Sequence, residues 1–186
     1  MKVSVAISNR HVHFTKEIYE ELFGDAPFES KRALNQVGEY ASIYTVDLEY
    51  NGKKIEHVRV VGPLRKYNQV ELLGSDLEYL GIDAPARKSG KVDNTPGIKV
   101  INGDKSVVLE SGVIRAERHI HMNQELASKL GFKDEDKVIV HAGDKDFDAN
   151  IKVSDNGYYE MHIDKDEALE YNLETGDEVE YEKMED

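Results

Sequence analysis

Two tripeptides concentrate the chemistry of this chain: His11-Val12-His13 and His119-Ile120-His121, each preceded by an arginine, Arg10 or Arg118. On a strand, alternate side chains share a face, so each pair presents two imidazoles to one side. Neutral imidazole nitrogens bind divalent metals at about 2.0–2.1 Å. Four of the seven histidines stand in these two pairs, so the pattern points to metal ligation at two related sites. His57 and His141 have no such partner pattern and read as ordinary histidines.

A third donor for each pair comes from an internal alignment. Placing Val70-Glu71-Leu72 on Met161-His162-Ile163 and running on without gaps brings Leu80 to Tyr171, Gly81 to Asn172 and Ile82 to Leu173. Glu71 then takes the place of His162. The chain reads as a duplication whose halves supply His11, His13 and Glu71 in one case and His119, His121 and His162 in the other. Three protein ligands with an open position is the usual form of a catalytic zinc site. Nitrogen and oxygen donors without sulfur equally admit Co, Fe, Mn or Ni. Arg65-Lys66 lies shortly before Glu71, behind the turn-forming Gly62-Pro63. A guanidinium fork suits phosphate, which makes Arg65 the candidate for an anion pocket beside the metals. The strand period turns Arg10 and Arg118 away from His11 and His119.

These groups need strands to carry them and caps to fix their ends. Alternating segments at 3–8, 41–50, 55–61, 97–101, 106–109, 137–141, 150–153 and 178–182 read as strands. Asn51-Gly52, Asn102-Gly103 and Asn156-Gly157 mark turns. Short helices follow each His-X-His, over 15–22 and 123–130, and capping boxes are expected at 75–78 and 164–167. The fold class is mainly β: two small β-barrel domains related by duplication, capped by short α-helices. The non-periodic stretch 84–97 suggests a seam, giving domains of 1–90 and 91–186 with strands free to cross between them.

Composition removes several classes. Cysteine is absent, so disulfides, thiolate ligands and a cysteine nucleophile are excluded. The formal net charge of −13 disfavours nucleic acid and anionic membranes as partners. No apolar run approaches the roughly 18 residues of a membrane span.

Five segments carry a more specific signal. Ser8-Asn9-Arg10-His11-Val12-His13 comes first, then Gly62-Pro63-Leu64-Arg65 with Gln69-Val70-Glu71. Leu80-Gly81-Ile82-Asp83-Ala84-Pro85, Arg118-His119-Ile120-His121-Met122 and Met161-His162-Ile163-Asp164 follow. In this order, over nearly the whole chain, they resemble the PduL-type phosphotransacylase family, the phosphate propanoyltransferases. The resemblance implies two β-barrels with a two-zinc site between them. It implies an enzyme that interconverts short-chain acyl-CoA plus phosphate with acyl phosphate plus CoA. By motif, His11, His13 and Glu71 would hold one zinc, His119, His121 and His162 the other, and Arg65 would bind phosphate. Acyl-CoA, phosphate and acyl phosphate are then the partners, and a homo-oligomer is compatible. Lys31, Arg32, Arg87 and Arg115 are unranked candidates for the CoA phosphates. Microcompartment members usually carry an N-terminal extension, and this chain opens on its first strand, so the expectation is a cytoplasmic enzyme. A metal-dependent acyl-CoA hydrolase and a non-catalytic metal-binding module remain as alternatives on the same donors.

Overall fold

The computed structural model describes residues 1–34, 38–155 and 158–185. The turn expected at Asn156-Gly157 lies outside the described residues. In chain order the elements are β1 (Lys2–Ser8), β2 (His11–His13), α1 (Lys16–Phe23), β3 (Ser30–Ala33), β4 (Tyr40–Tyr50), β5 (Lys53–Gly62), β6 (Gln69–Glu71), α2 (Gly74–Leu80), β7 (Ala86–Arg87) and β8 (Ile98–Asn102). They continue as β9 (Lys105–Leu109), β10 (Val113–Ala116), β11 (His119–Met122), α3 (Gln124–Leu130), β12 (Lys137–Ala142), β13 (Lys145–Val153), β14 (Glu160–Asp164), α4 (Lys165–Tyr171) and β15 (Glu178–Lys183). Among the described residues no helix is long and apolar enough to cross a membrane.

The chain forms two compact units, one of Met1–Asn9 with Glu117–Asp186 and one of Arg10–Ala116. They do not divide at residues 90/91. The stretch 84–97 lies inside the second unit, where the Pro85 and Pro96 carbonyls accept from the Arg115 and Val113 amides. A segment without periodicity can still be pinned by its backbone, which composition does not reveal.

The first unit is a closed barrel in the order β1-β14-β11-β13-β12-β15. Strand β1 is parallel to β14 and antiparallel to β15. Strand β11 is antiparallel to β14 and parallel to β13. Val3, Val5, Ile120, Met122, Val140, Ile151, Met161 and Tyr181 fill its interior.

The second unit repeats that order as β10-β6-β2-β5-β4-β8, with the same sequence of parallel and antiparallel neighbours. The duplication legible in the histidines therefore extends to the strand order. This copy is a half-barrel where the other is closed, continued by β9. A strand has two edges, and β8 gives one to β4 and the other to β9, so none is left for β10. Val12, Phe14, Leu22, Leu48, Val60, Val70 and Leu72 form its core.

The repeats are interleaved along the chain. Strand β1 immediately precedes the first His-X-His yet belongs to the barrel, and β10 immediately precedes the second yet belongs to the half-barrel. The chain therefore changes unit just before each histidine pair.

One close approach governs entry into β10. Gly112 has φ +120°, and a Cβ there would lie 2.6 Å from the Asn68 carbonyl oxygen. Its own carbonyl accepts from the Val70 amide. Gly143 also has positive φ, at +65°, but a Cβ would meet nothing within 4 Å. An alanine forced into such a conformation costs about 1–3 kcal/mol. Gly112→Ala adds a backbone clash and should lower the urea midpoint more than Gly143→Ala; equal midpoints would contradict this reading.

Candidate functional site

Strand register assembles each donor set within one unit. His11 stands opposite Glu71, and His13 opposite Gln69, on the antiparallel pair β2–β6. His119 stands opposite His162, and His121 opposite Glu160, on β11–β14. Directly opposed residues share a face. Val12 and Ile120 between the histidines are fully buried in the two cores, which fixes the imidazoles on the other face. Thr15 and Asn123 then stop the strands by capping α1 and α3, accepting from the amides of Ile18 and Leu126.

The structure brings together all six predicted ligands as these two sets. In the first, the His11 and His13 ring centroids are 4.9 Å apart, and His11 Nδ1 lies 3.4 Å from Glu71 Oε2. In the second, the rings of His119 and His162 are 5.0 Å apart and those of His119 and His121 5.9 Å. Among the described residues no three such side chains form a ready-made cage for an ion. Their donors are engaged locally: His121 Nε2 meets Ser154 Oγ at 2.7 Å and His162 Nε2 meets Tyr158 Oη at 2.9 Å. Metal binding would exchange these contacts for coordination.

The donor chemistry suits a divalent ion. His13 Nδ1 is buried without a hydrogen-bond partner, while the ring is hydrogen-bonded to the backbone of Val61. Buried polar atoms are nearly always paired. Metal-bound histidines characteristically give their second nitrogen to a backbone carbonyl or carboxylate and keep the first for the ion. His119 is arranged comparably, its Nδ1 lying 3.0 Å from the Glu117 carbonyl. Burial lowers the pKa of His13 to about 2, helped by the neighbouring charges of His11 and Arg65. Burial likewise lowers His119 to about 3 and His121 and His162 to about 4. Neutral imidazole is the ligating form.

Arg65 is placed beside the first set. Its amide donates to the Phe14 carbonyl at 2.8 Å, and its charge acts on His13. Its guanidinium is paired with Glu39 and donates to Tyr67 Oη at 2.5 Å. The predicted anion-binding fork thus already holds a carboxylate. Lys66 is exposed. Of the candidates for CoA phosphates, Lys31 and Arg32 are exposed, Arg87 donates to the carbonyls of Lys91 and Asp93, and Arg115 lies over Gly74.

Sequence reasoning missed several residues around the donors. Buried Gln69 accepts from the Gly90 amide at 2.8 Å and donates to Ser89 Oγ at 3.1 Å, tying that loop to the His13 position. Lys152 pairs in register with His121, and its charge depresses the three histidines of the second set. Running the internal alignment backwards from Val70 and Met161 would have matched Gln69 with Glu160 and Tyr67 with Tyr158. His57 is an exposed residue of β5 with φ +58°, where the register with β4 shifts, and His141 pairs with Asp146 at 2.8 Å on the surface.

The depressed histidines make a pH prediction for metal-free protein. Between their ordinary value near 6.5 and about 4, the unfolded chain binds protons that the folded chain refuses. Stability rises with pH wherever the unfolded state binds more protons. Chelator-treated protein should therefore lose stability as pH falls from 6.5 towards 4, and His121→Asn should flatten the profile. Urea unfolding at stepped pH checks this; an unchanged profile in the variant would refute it.

Comparison with known proteins places these features. Residues 4–174 match the family model described as phosphate propanoyltransferase. A phosphate propanoyltransferase of Thermotoga maritima is 43% identical over 183 residues, covering 95% of this chain and 87% of the relative. Another, of Rhodopseudomonas palustris, is 40% identical, covering 96% and 81%. A third, of Salmonella typhimurium, is 40% identical over 171 residues, covering 89% and 81%. The resemblance noted in the five sequence segments is thereby met: this chain belongs to the phosphate propanoyltransferase family.

Proposed function

We propose that the chain is a phosphate acyltransferase, exchanging CoA and phosphate on propanoyl or acetyl groups with the help of two zinc ions. Family membership over residues 4–174 is the observation that carries the reaction class. The metals are supported by His13, His119, His121 and His162, which burial keeps neutral, and by the unpartnered His13 Nδ1. His11, His13 and Glu71 would hold one ion, and His119, His121 and His162 the other. Bound there, zinc supplies Lewis acidity towards oxygen and sulfur.

The remaining steps fall to the chain's own side chains. Arg65 receives phosphate through its planar fork, in place of the Glu39 carboxylate, and aims one oxygen at the thioester carbonyl. That oxygen bonds to the acyl carbon, the carbon–sulfur bond breaks, and the electron pair leaves with the CoA sulfur. With no cysteine in the chain, a thiol acyl-enzyme is closed. Direct transfer in a ternary complex is the scheme.

Free thiol released from propanoyl-CoA or acetyl-CoA tests this, with and without phosphate, before and after chelation. Phosphate-dependent release that is lost on chelation and restored by zinc is expected. Release without phosphate would turn the reading to a hydrolase, and no release would leave a metal-binding module. Initial-rate plots should intersect; parallel lines would overturn direct transfer. Arg65→Ala should raise the KM for phosphate or lower kcat. Glu39→Gln, which removes the competing charge, should lower that KM. Phosphate kinetics unchanged in both variants would remove Arg65 from the site.

A further inference from the structure

The arginine before each His-X-His makes the same kind of contact in both units. Arg10 Nε and Nη2 each lie 2.8 Å from the Asp76 carboxylate, in a fork-to-fork pair. Asp76 is buried on α2, and its Oδ2 also accepts from the Leu73 amide at 3.1 Å. Arg118 Nε lies 3.1 Å from Glu167 Oε2 on α4, and Glu167 Oε1 accepts from the Asp164 amide at 3.1 Å. Arg118 also reaches Asp148 at 3.0 Å and Tyr171 Oη at 3.2 Å, and stacks over Phe147. Asp76 and Glu167 hold equivalent places in the internal alignment. Each follows the third donor of its set, Glu71 or His162, by one strand end and the first turn of a helix.

We propose that Arg10 and Arg118 are positioning residues, each clasping its histidine strand to the helix that follows the third metal donor. The inference rests on the two-metal reading above. Arg10 is the first residue and Arg118 the second of the segments where the chain enters each unit. Without a fixed point there, the two histidines and the third donor would depend on very short strands, β2 of 3 residues and β6 of 3. The bidentate Arg10–Asp76 pair fixes direction as well as distance, and Arg118 Nε makes the corresponding contact to buried Glu167. The same solution built with Asp in one repeat and Glu in the other indicates that the clasp, not a particular side chain, is what both repeats share.

Asp76→Asn and Glu167→Gln isolate this role, because each amide oxygen can still cap the helix while the charge facing arginine is gone. Supporting contacts around metal ligands are worth about 10–100-fold in affinity. In chelator competition, each variant should hold one of the two zinc ions about 10–100-fold more weakly and the other as in wild type. Circular dichroism should stay unchanged. Asp76→Glu, which returns the carboxylate, should recover the lost affinity. Arg10→Met and Arg118→Met approach the same contacts from the other side. Wild-type zinc affinity at both sites in all these variants would overturn the clasp even if their unfolding midpoints fall. Wild-type protein that holds no zinc would instead remove the two-metal reading itself, and the clasp with it.

Discussion

Both proposed donor sets of this chain hang on two short antiparallel pairings, β2 with β6 and β11 with β14. They set His11 against Glu71 and His119 against His162. Strand side chains alternate with period two, so a slip of one residue would send every donor into a core and bring Val12 or Ile120 out. The burial of those two residues is therefore the first lock on the site. Hydrophobic free energy holds the register, and the histidines benefit because they occupy the opposite face of strands that cannot move.

Pairings of this length would be weak alone. They are flanked by parallel partners on both sides, β5 and β10 in one unit and β13 and β1 in the other. The partner beside each third donor comes from the segment that leads, in sequence, into the other repeat's histidines. The barrel therefore joins β1 to strands that begin more than a hundred residues later, whereas the second unit takes all six of its strands from 10–116 and ends on the strand that leads into the barrel. This interleaving also explains why a cut near the middle of the sequence fails to describe the units: β1 and β10 are close in sequence to one repeat and paired in the other.

The sequence carried much of this in particular residues. Alternation placed β1, β4, β5, β8, β9, β12 and β15 to within a few residues. The gap-free alignment matched Glu71 with His162, and strand register sets them in equivalent places opposite His11 and His119, at the same distance from Gly81 and Asn172, the left-handed ends of α2 and α4. The expected box at 164–167 formed. The one at 75–78 is shifted: α2 starts at Gly74, and Asp76 accepts from Leu73 instead. The partners of Arg10 and Arg118 were hidden because they lie far along the chain, on α2 and α4. Strand periodicity says which way a side chain does not point, but not what it meets. The open edge of the second sheet was hidden for the same reason: β9 reads as a strand in either arrangement, and only pairing reveals that it blocks closure.

The two donor sets are alike in placement and unlike in charge. The first contains a carboxylate and has Arg65 nearby, itself balanced by Glu39. The second contains three neutral rings and has Lys152 acting on all three. Under the two-zinc reading, Glu71 cancels one unit of its ion's charge, whereas the three-histidine ion keeps both and has an ammonium beside it. On a chain of net charge −13 that difference matters, because an anionic substrate is repelled at long range and held only where the local sign reverses. The two repeats supply like strand pairings, and Glu71 in one where the other has His162 makes them electrostatically unequal. Such an inequality is what a reaction needs when one anion must be oriented for attack and another released.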